Sequence, residues 1–231
     1  MLVVSLSGGK DSTALALYMK DKIDLLLFCD TGIELPETYQ YIKKVQKYIN
    51  KPLITLKNQS FQFWINHWKG FLPNSNARWC TRTLKIIPFE KFLNENKNAI
   101  VAVGLRADEE KRRGYLGLYQ ANYIYPFRDA DIKKDGVDEL LKDFGIPEFY
   151  KWKSRSGCYA CPFLRKSEWE GLYKNHPDLF KWAESIEKSK NYKYTWNKNY
   201  SLKDIREIVE GKKMQLSLFD EDESACTICT L

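Results

Sequence analysis

The sequence SLSGGKDS at residues 5–12 combines the residue types that bind a phosphate group. Its two glycines allow a tight turn in which backbone N–H groups face an anion, and Lys10 adds a positive charge. Ser7 and Ser12 carry hydroxyl groups that can donate further hydrogen bonds. The spacing differs from the Walker A pattern. A serine-capped turn without a ligand is the alternative, but the position between a predicted strand and a predicted helix favours a phosphate-binding loop.

Cysteines are the second group of side chains that could do chemistry. The chain has six, namely Cys29, Cys80, Cys158, Cys161, Cys226 and Cys229. Two pairs, 158/161 and 226/229, have C-x-x-C spacing, which suits metal ligation or thiol redox chemistry. Together the two pairs have the form of a structural zinc site with thiolate ligands. Cys29 lies in an apolar run, where we expect a small core residue.

Alternating strands and helices would position these residues. Continuous apolar runs predict strands at 2–5, 24–29, 52–56 and 100–103. Between them, helical spacing of apolar residues predicts a helix at 11–20 and another that begins at Pro36. Buried strands separated by amphipathic helices indicate an α/β fold with a parallel sheet covered on both faces.

The pattern changes after Gly104, where polar, basic and aromatic residues mix without alternation. We expect a short helix at 138–144, capping boxes that begin at Ser167 and Ser201, and a last helix that ends at Gly211. The aromatic stretch at 61–68 either packs against the sheet as a helix, the commoner outcome, or stacks nucleic-acid bases.

Composition narrows the class of protein. The 231 residues are 44% hydrophobic, and 37 Lys and Arg against 30 Asp and Glu give a net charge of +7. This excess favours anionic partners such as nucleotides or nucleic acid without establishing them. No run approaches the roughly 20 apolar residues of a membrane span, so no membrane partner is expected. With no secretory signal peptide in the first residues, we expect a cytoplasmic protein with reduced thiols.

The segment SGGKDS resembles the PP-loop of the ATP pyrophosphatase superfamily. Further segments resemble the phosphoadenylylsulfate (PAPS) reductase family in the same order along residues 1–165. They are FCDTGIELPET at 28–38, RWCTRTLK at 78–85, GLRADEE at 104–110 with two arginines after it, and GCYACP at 157–162. The resemblance implies a doubly wound, mostly parallel, Rossmann-like sheet of the adenine nucleotide alpha-hydrolase type. It places a nucleotide-binding domain at 1–165 and leaves a small helical C-terminal region, with a cysteine-containing tail, at 166–231.

The resemblance also implies an adenine-nucleotide site that binds ATP and Mg²⁺. The residues predicted to bind the nucleotide are Ser5, Ser7, Gly8, Gly9, Lys10, Asp11, Ser12, Asp30, Thr31, Lys85, Gly104, Arg106, Arg112 and Arg113. Those with predicted catalytic roles are Lys10, Asp11 and Arg106, together with Cys226 and Cys229 as nucleophiles on the tail. The alternative for Arg112 and Arg113 is a solvated charged surface.

Iron–sulfur members of the resembled family bind a [4Fe–4S] cluster with a Cys-Cys pair and a distant C-x-x-C. Here Cys80 matches the second cysteine of the pair, and Trp79 stands at the first. Cys158 and Cys161 match the C-x-x-C. The fourth ligand is Cys229 or Cys226 folding back, or else one iron stays open to bind sulfide, as in related tRNA-thiolating enzymes. Zinc at the two C-x-x-C pairs and no metal at all are the alternatives.

Two enzymatic reactions and one binding function fit these features. In the first, an ATP-dependent sulfurtransferase adenylates DNA or RNA, similar to DNA phosphorothioation enzymes of the DndC type, with sulfur from a donor such as a cysteine desulfurase. In the second, a sulfonucleotide reductase releases sulfite with thioredoxin, although the Glu-Cys-Gly tail motif of those enzymes is absent. The third is a non-enzymatic metal knuckle that binds nucleic acid. The intact SGGKDS loop favours the first.

Overall fold

The computed structural model describes residues 1–109, 122–188 and 194–212. Within them, five strands form one sheet in the order β3-β2-β1-β4-β5, and every neighbouring pair is parallel. The strands are β1 (Leu2–Ser5), β2 (Leu25–Cys29), β3 (Leu53–Leu56), β4 (Ile100–Ala102) and β5 (Asn122–Ile124). The doubly wound α/β fold is therefore confirmed. β5 is an addition to the predicted strands, because its polar, half-buried sequence gives no apolar run.

Helices flank the sheet and continue beyond it. In the described ranges they are α1 (Lys10–Tyr18), α2 (Pro36–Ile49), α3 (Phe61–His67), α4 (Trp79–Thr81), α5 (Ile87–Glu95), α6 (Pro126–Asp129), α7 (Lys134–Leu141), α8 (Lys166–Asn175), α9 (Pro177–Lys188) and α10 (Leu202–Val209). A π-helical turn, Arg82–Ile86, joins α4 to α5. Among the described residues, no helix combines the length and apolar character that crossing a membrane requires.

The strand order reverses between β1 and β4. The chain adds β2 and β3 on one side of β1 and then returns to add β4 and β5 on the other. Connections that leave two adjacent parallel strands in opposite directions open a crevice at the carboxyl ends of those strands. Residues 6–9, after β1, and residues 103–106, after β4, both border this crevice.

Two hydrophobic layers cover the sheet. Val4 lies beside Leu26 on one neighbouring strand and beside Ala102 on the other, and these side chains pack with α1, α2 and α7. The alternate residues Val3 and Val101 face the opposite layer, which includes α5. Every residue of β2 is buried, which explains why its sequence is continuously apolar.

A third cluster, here called the aromatic core, combines residues from both halves of the chain. Its large rings are Phe61, Trp79, Trp169, Phe180 and Trp196. The cluster also includes Ile33 and Leu35 from the loop after β2, so it contains residues from both sides of position 165. The division into a domain at 1–165 and a region at 166–231 stays a prediction.

Helix boundaries differ from the sequence predictions in two places. The helix predicted at 138–144 begins at Lys134 and ends at Leu141, because Val137 and Leu141 are buried against α1. The capping box predicted at Ser167 is wrong: Glu168 accepts a hydrogen bond from the backbone N–H of Arg165, so α8 begins two residues earlier. The Ser201 capping box and a left-handed Gly211 after α10 are confirmed.

Candidate nucleotide site and cysteine pocket

Ser12 holds the phosphate loop, residues 7–12, in a closed turn. Its hydroxyl oxygen accepts a hydrogen bond from the backbone N–H of Ser7 at 3.1 Å and donates to the Gly9 carbonyl at 3.1 Å. Gly8 has φ +74°, and a Cβ there would lie 3.0 Å from the Thr38 methyl group. The loop leads into α1, whose first backbone N–H groups have no partner within the helix. This geometry suits an anion at the start of α1.

A cavity of about 380 Å³ opens in front of the phosphate loop, here called the loop cavity. The predicted site residues that line it are Ser7, Gly9, Lys10, Asp11, Ser12, Lys85 and Arg106. Lys134 and Arg155 add positive charge, and Tyr150 forms part of the wall. Its size suits a small ligand and its cations suit phosphate groups. Another cavity of about 490 Å³, beside β3 and α5, has no predicted site residue in its lining.

Arg106 follows β4 and reaches across the crevice to the first turn of α1. Its guanidinium lies 3.1 Å from the Asp11 carboxylate, 3.0 Å from Asp108 and 3.8 Å from Glu109. Burial alone would lower the pKa of Arg106, but the hydrogen bond with Asp108 and the charge of Asp11 outweigh it and raise the pKa. Arg106 is thus a fixed cation at the edge of the loop cavity. Gly104 packs against the backbone of Asp11.

The predicted site residues after β2, Asp30 and Thr31, do not line the loop cavity. Asp30 accepts hydrogen bonds from the Tyr39 hydroxyl at 2.7 Å and the Gly32 N–H at 2.9 Å, and lies 3.1 Å from Lys57 Nζ. Burial opposes ionisation of Asp30, but these contacts outweigh it and lower its pKa. Thr31 lines a second, smaller pocket. Ser5 and Gly8 support the loop from behind and are not in the lining of the cavity.

The second pocket, here called the cysteine pocket, brings together Cys80, Cys158 and Cys161. Its volume is about 40 Å³, and it shares Lys85 and Ser156 with the lining of the loop cavity. The three cysteines that the sequence predicts as metal ligands thus line one pocket, and metal binding there stays a prediction.

The loop that carries the C-x-x-C pairs with the segment after β2. The Leu35 N–H donates to the Gly157 carbonyl at 2.7 Å, and the Tyr159 N–H donates to the Ile33 carbonyl at 2.8 Å. A side chain at Gly157 would collide with the Thr38 hydroxyl, so only glycine allows this approach. The pairing places the cysteine pocket next to the crevice.

Glu34 connects the two cavities, and the sequence predictions gave it no role. This carboxylate is 6% exposed and lines the loop cavity. Its Oε1 accepts hydrogen bonds from the Thr31 hydroxyl at 2.8 Å and the Cys158 thiol at 3.0 Å. Burial, followed by the charge of Glu34, raises the pKa of Cys158 well above its ordinary value. The sequence signal that could have identified Glu34 was its position inside the family-like segment FCDTGIELPET.

Lys153 is a second residue that sequence reasoning missed. It is fully buried, and its ammonium group donates a hydrogen bond to the Cys158 carbonyl. Burial lowers the pKa of Lys153, while the neighbouring Cys161 and Cys158 oppose that shift. A lysine in a mixed loop sequence gives no sign that it will be buried, so no sequence signal was available.

The donor set of the cysteine pocket suits a thiophilic metal group. Among the described residues, no three His, Cys, Asp or Glu side chains come close enough to hold a single ion. An iron–sulfur cluster differs from a single ion because each thiolate binds a different iron, so its ligands stand further apart. The predicted residues Cys226, Cys229, Arg112 and Arg113 lie outside the described residues.

A parallel sheet whose order reverses beside an SGGKDS loop defines an α/β protein of the PP-loop type. The phosphoadenylyl-sulfate reductase of Candida auris, solved as a phosphate complex, shares this fold with a TM-score of 0.51 at 18% sequence identity. The similarity covers 63% of this chain and 73% of that chain.

A sequence model of the phosphoadenosine phosphosulfate reductase domain matches residues 1–125, and the chain belongs to that family. An uncharacterized protein of Methanocaldococcus jannaschii is 31% identical over 199 residues, which are 80% of this chain and 47% of that protein. An adenosine 5'-phosphosulfate reductase of Geobacillus kaustophilus is 28% identical over 158 residues, covering 65% of this chain and 53% of the relative. The chain thus spans about half the length of these curated relatives.

Proposed function

We propose that the chain is an ATP-dependent sulfur-transfer enzyme that splits ATP into AMP and pyrophosphate. One observation carries the proposal: an intact phosphate loop faces a cavity that shares Lys85 and Ser156 with a pocket of three cysteines. A nucleotide site and a sulfur site that share their walls allow activation and sulfur delivery at one place.

The phosphate loop would bind the part of ATP that leaves. An oxygen of the acceptor attacks the α-phosphorus, the bond between the α- and β-phosphates breaks, and pyrophosphate departs. Backbone N–H groups at the start of α1 and the Lys10 ammonium stabilise the charge on the departing group. Mg²⁺ would neutralise further phosphate charge, and Arg106 and Lys85 would face the remaining AMP moiety.

The cysteine pocket would deliver sulfur in the second step, in which a sulfur nucleophile attacks the adenylated acceptor and AMP leaves. A [4Fe–4S] cluster held by Cys80, Cys158 and Cys161 would bind that sulfur. With one iron open, Cys226 and Cys229 stay available as thiolate nucleophiles. If Cys229 is instead the fourth ligand, no iron stays open and Cys226 would carry the sulfur. The reducing cytosol predicted from the sequence would keep the thiols reduced. A cysteine desulfurase is the proposed donor, and DNA or RNA the proposed acceptor, as in DndC-type phosphorothioation.

A second candidate is a sulfonucleotide reductase, which the family and the named Geobacillus kaustophilus relative favour. Here the loop cavity binds adenylylsulfate or PAPS. A cysteine thiolate attacks the sulfur atom, the nucleotide leaves, and thioredoxin reduces the resulting thiosulfonate to release sulfite.

Product analysis separates these candidates. Purified protein, reconstituted anaerobically, is incubated with ATP–Mg²⁺ and candidate nucleic-acid acceptors, and separately with adenylylsulfate or PAPS plus thioredoxin. We expect pyrophosphate from the first reaction, strongly reduced in Lys10→Ala and unchanged in Lys22→Ala, an exposed lysine outside the cavity. Sulfite without pyrophosphate would establish the reductase instead. Neither product from folded protein would leave only a binding function.

A further inference from the structure

Helix α3 has a buried side and an aromatic side. Phe61 and Ile65 are buried in the aromatic core. The other rings of the helix are Phe63, Trp64 and His67, and with Trp68 just after it they are here called the aromatic face. Trp64 is half-buried and packs against the aromatic core. Phe63 is 44% exposed and Trp68 is 42% exposed. Packing of the helix therefore leaves the rings of Phe63 and Trp68 partly exposed at the surface.

The rings of the aromatic face stand in two nearly parallel pairs. The planes of Phe63 and His67 are 13° apart with centroids 6.2 Å from each other. The planes of Trp64 and Trp68 are 24° apart, with centroids at 6.5 Å. Flat rings held side by side at the surface provide stacking positions for other flat ring systems.

The charge around the aromatic face favours an anionic partner. Residues 38–89 contain no Asp or Glu, and their cations are Lys43, Lys44, Lys47, Lys51, Lys57, Lys69, Arg78, Arg82 and Lys85. Lys69 and the amides Gln62 and Asn66 are exposed on or beside α3. Exposed aromatic rings beside amides and a cation have the composition of single-stranded nucleic-acid sites.

The aromatic face is also close in the fold to the cysteine pocket. Phe61, on the buried side of α3, packs against Trp79 with ring centroids 5.1 Å apart. Trp79 directly precedes Cys80, which lines the pocket. Just before α3, the Asn58 amide donates to the Thr83 carbonyl at 2.6 Å. The helix that carries the aromatic face is therefore joined through Phe61 and Trp79 to the segment that lines the cysteine pocket.

We propose that the aromatic face binds single-stranded nucleic acid by stacking unpaired bases on its rings. The inference builds on the proposed function, because it names the class of acceptor that reaches the sulfur site. A duplex hides the faces of its bases, so single strands are preferred. The phosphates of the strand would lie near Lys69 and the cations of residues 78–85, which makes binding weaker in high salt.

Fluorescence anisotropy with labelled DNA and RNA oligonucleotides of about 12 nucleotides tests this inference without ATP. We expect the wild type to bind a single strand more tightly than the matching duplex. The double variant Phe63→Ala/Trp68→Ala should bind the single strand at least about tenfold more weakly. Phe63→Tyr/Trp68→Tyr keeps two stacking rings and should restore binding. Tyr48→Ala, which removes a 57% exposed ring on α2, should have no effect.

Equal affinity of wild type and the double alanine variant would overturn the inference, provided that thermal unfolding shows both folded. It is also overturned by duplex binding as tight as single-strand binding, or by no oligonucleotide binding at all, which would leave the surface to a protein partner. Pyrophosphate release from ATP is measured separately, so loss of the binding proposal and loss of the proposed function give different results.

Discussion

Single residues determine whether the phosphate loop can form. Gly8 adopts φ +74°, which side chains other than glycine rarely tolerate, and the space beside it is filled by Thr38. Gly9 has φ −83°, and a Cβ there would meet the Ser7 hydroxyl at an ordinary 3.4 Å. Position 8 therefore requires glycine, whereas position 9 has room for a small side chain, although both belong to the same motif.

We predict that Gly8→Ala lowers the free energy of unfolding by about 1–3 kcal/mol and weakens nucleotide binding, because the backbone must be strained or the loop must move. Gly9→Ala is the matched control and should unfold within about 0.5 kcal/mol of the wild type. Chemical denaturation and nucleotide titration of both variants provide the measurement. Equal stability of the two variants would show that Gly8 does not have the left-handed conformation described here.

The cysteines provide a second prediction at the residue scale. After anaerobic reconstitution with iron and sulfide, the wild type should show a broad visible absorption that bleaches with dithionite. Cys80→Ser, Cys158→Ser and Cys161→Ser should each lose most of it. Cys29→Ala is the control and should keep it, because Cys29 is buried in β2 beneath α5. Retention of the full absorption by all three serine variants would exclude these residues as ligands.

Single functional residues could be predicted from the sequence only where they belong to a short motif. The phosphate loop and the three clustered cysteines were predicted because they stand in dense motifs. Glu34 and Lys153 were not, because their roles arise when the loop at 153–158 packs on the segment after β2. Glu34 and Cys158 meet across more than a hundred positions, which leaves no periodic signal, and the burial of Lys153 depends on that same packing.

At the scale of elements, Glu187 joins α9 to the start of α10. One carboxylate oxygen accepts from the Trp196 N–H at 2.8 Å, and the other accepts from the Leu202 N–H at 2.7 Å. Burial raises the pKa of Glu187 from 4.5 to about 7, opposed by these two hydrogen bonds and aided by the charges of Glu184 and Asp204. Ionising this group therefore costs more in the folded protein than in the unfolded chain.

The pKa of Glu187 predicts a pH dependence. A carboxyl with a raised pKa in the fold favours folding fully below pH 4.5, and that contribution is lost as pH rises through about 7. Glu187→Gln should remove this loss, on the order of 3 kcal/mol across that window. It should also cost about 1–3 kcal/mol, because the amide nitrogen of Gln cannot accept one of the two backbone N–H groups. Melting temperatures of both proteins between pH 4.5 and 7.5 test it. If the melting temperatures of the wild type and of Glu187→Gln change in parallel with pH, Glu187 does not have a raised pKa in the folded protein.

At the scale of the whole molecule, the sheet and its strand reversal create the site. The strands β1 to β4 were predicted because each is a continuous apolar run. α4, the π-helical turn and α5 were not, because the π-turn shifts the helical register across 79–95 and breaks the apolar period. The aromatic core also could not be predicted as a unit, since its rings come from segments far apart in the sequence.

Calorimetric titration of ATP–Mg²⁺ tests the central claim most directly, namely that the crevice between β1 and β4 binds the phosphates of an adenine nucleotide. We predict saturable binding at one site, weakened about 10–100-fold in Lys10→Ala through loss of a charged hydrogen bond. AMP binding should change little in that variant, and Lys22→Ala should match the wild type for both ligands. The account is contradicted if folded wild-type protein shows no saturable binding of ATP, AMP or adenylylsulfate, or if Lys10→Ala binds ATP as tightly as the wild type.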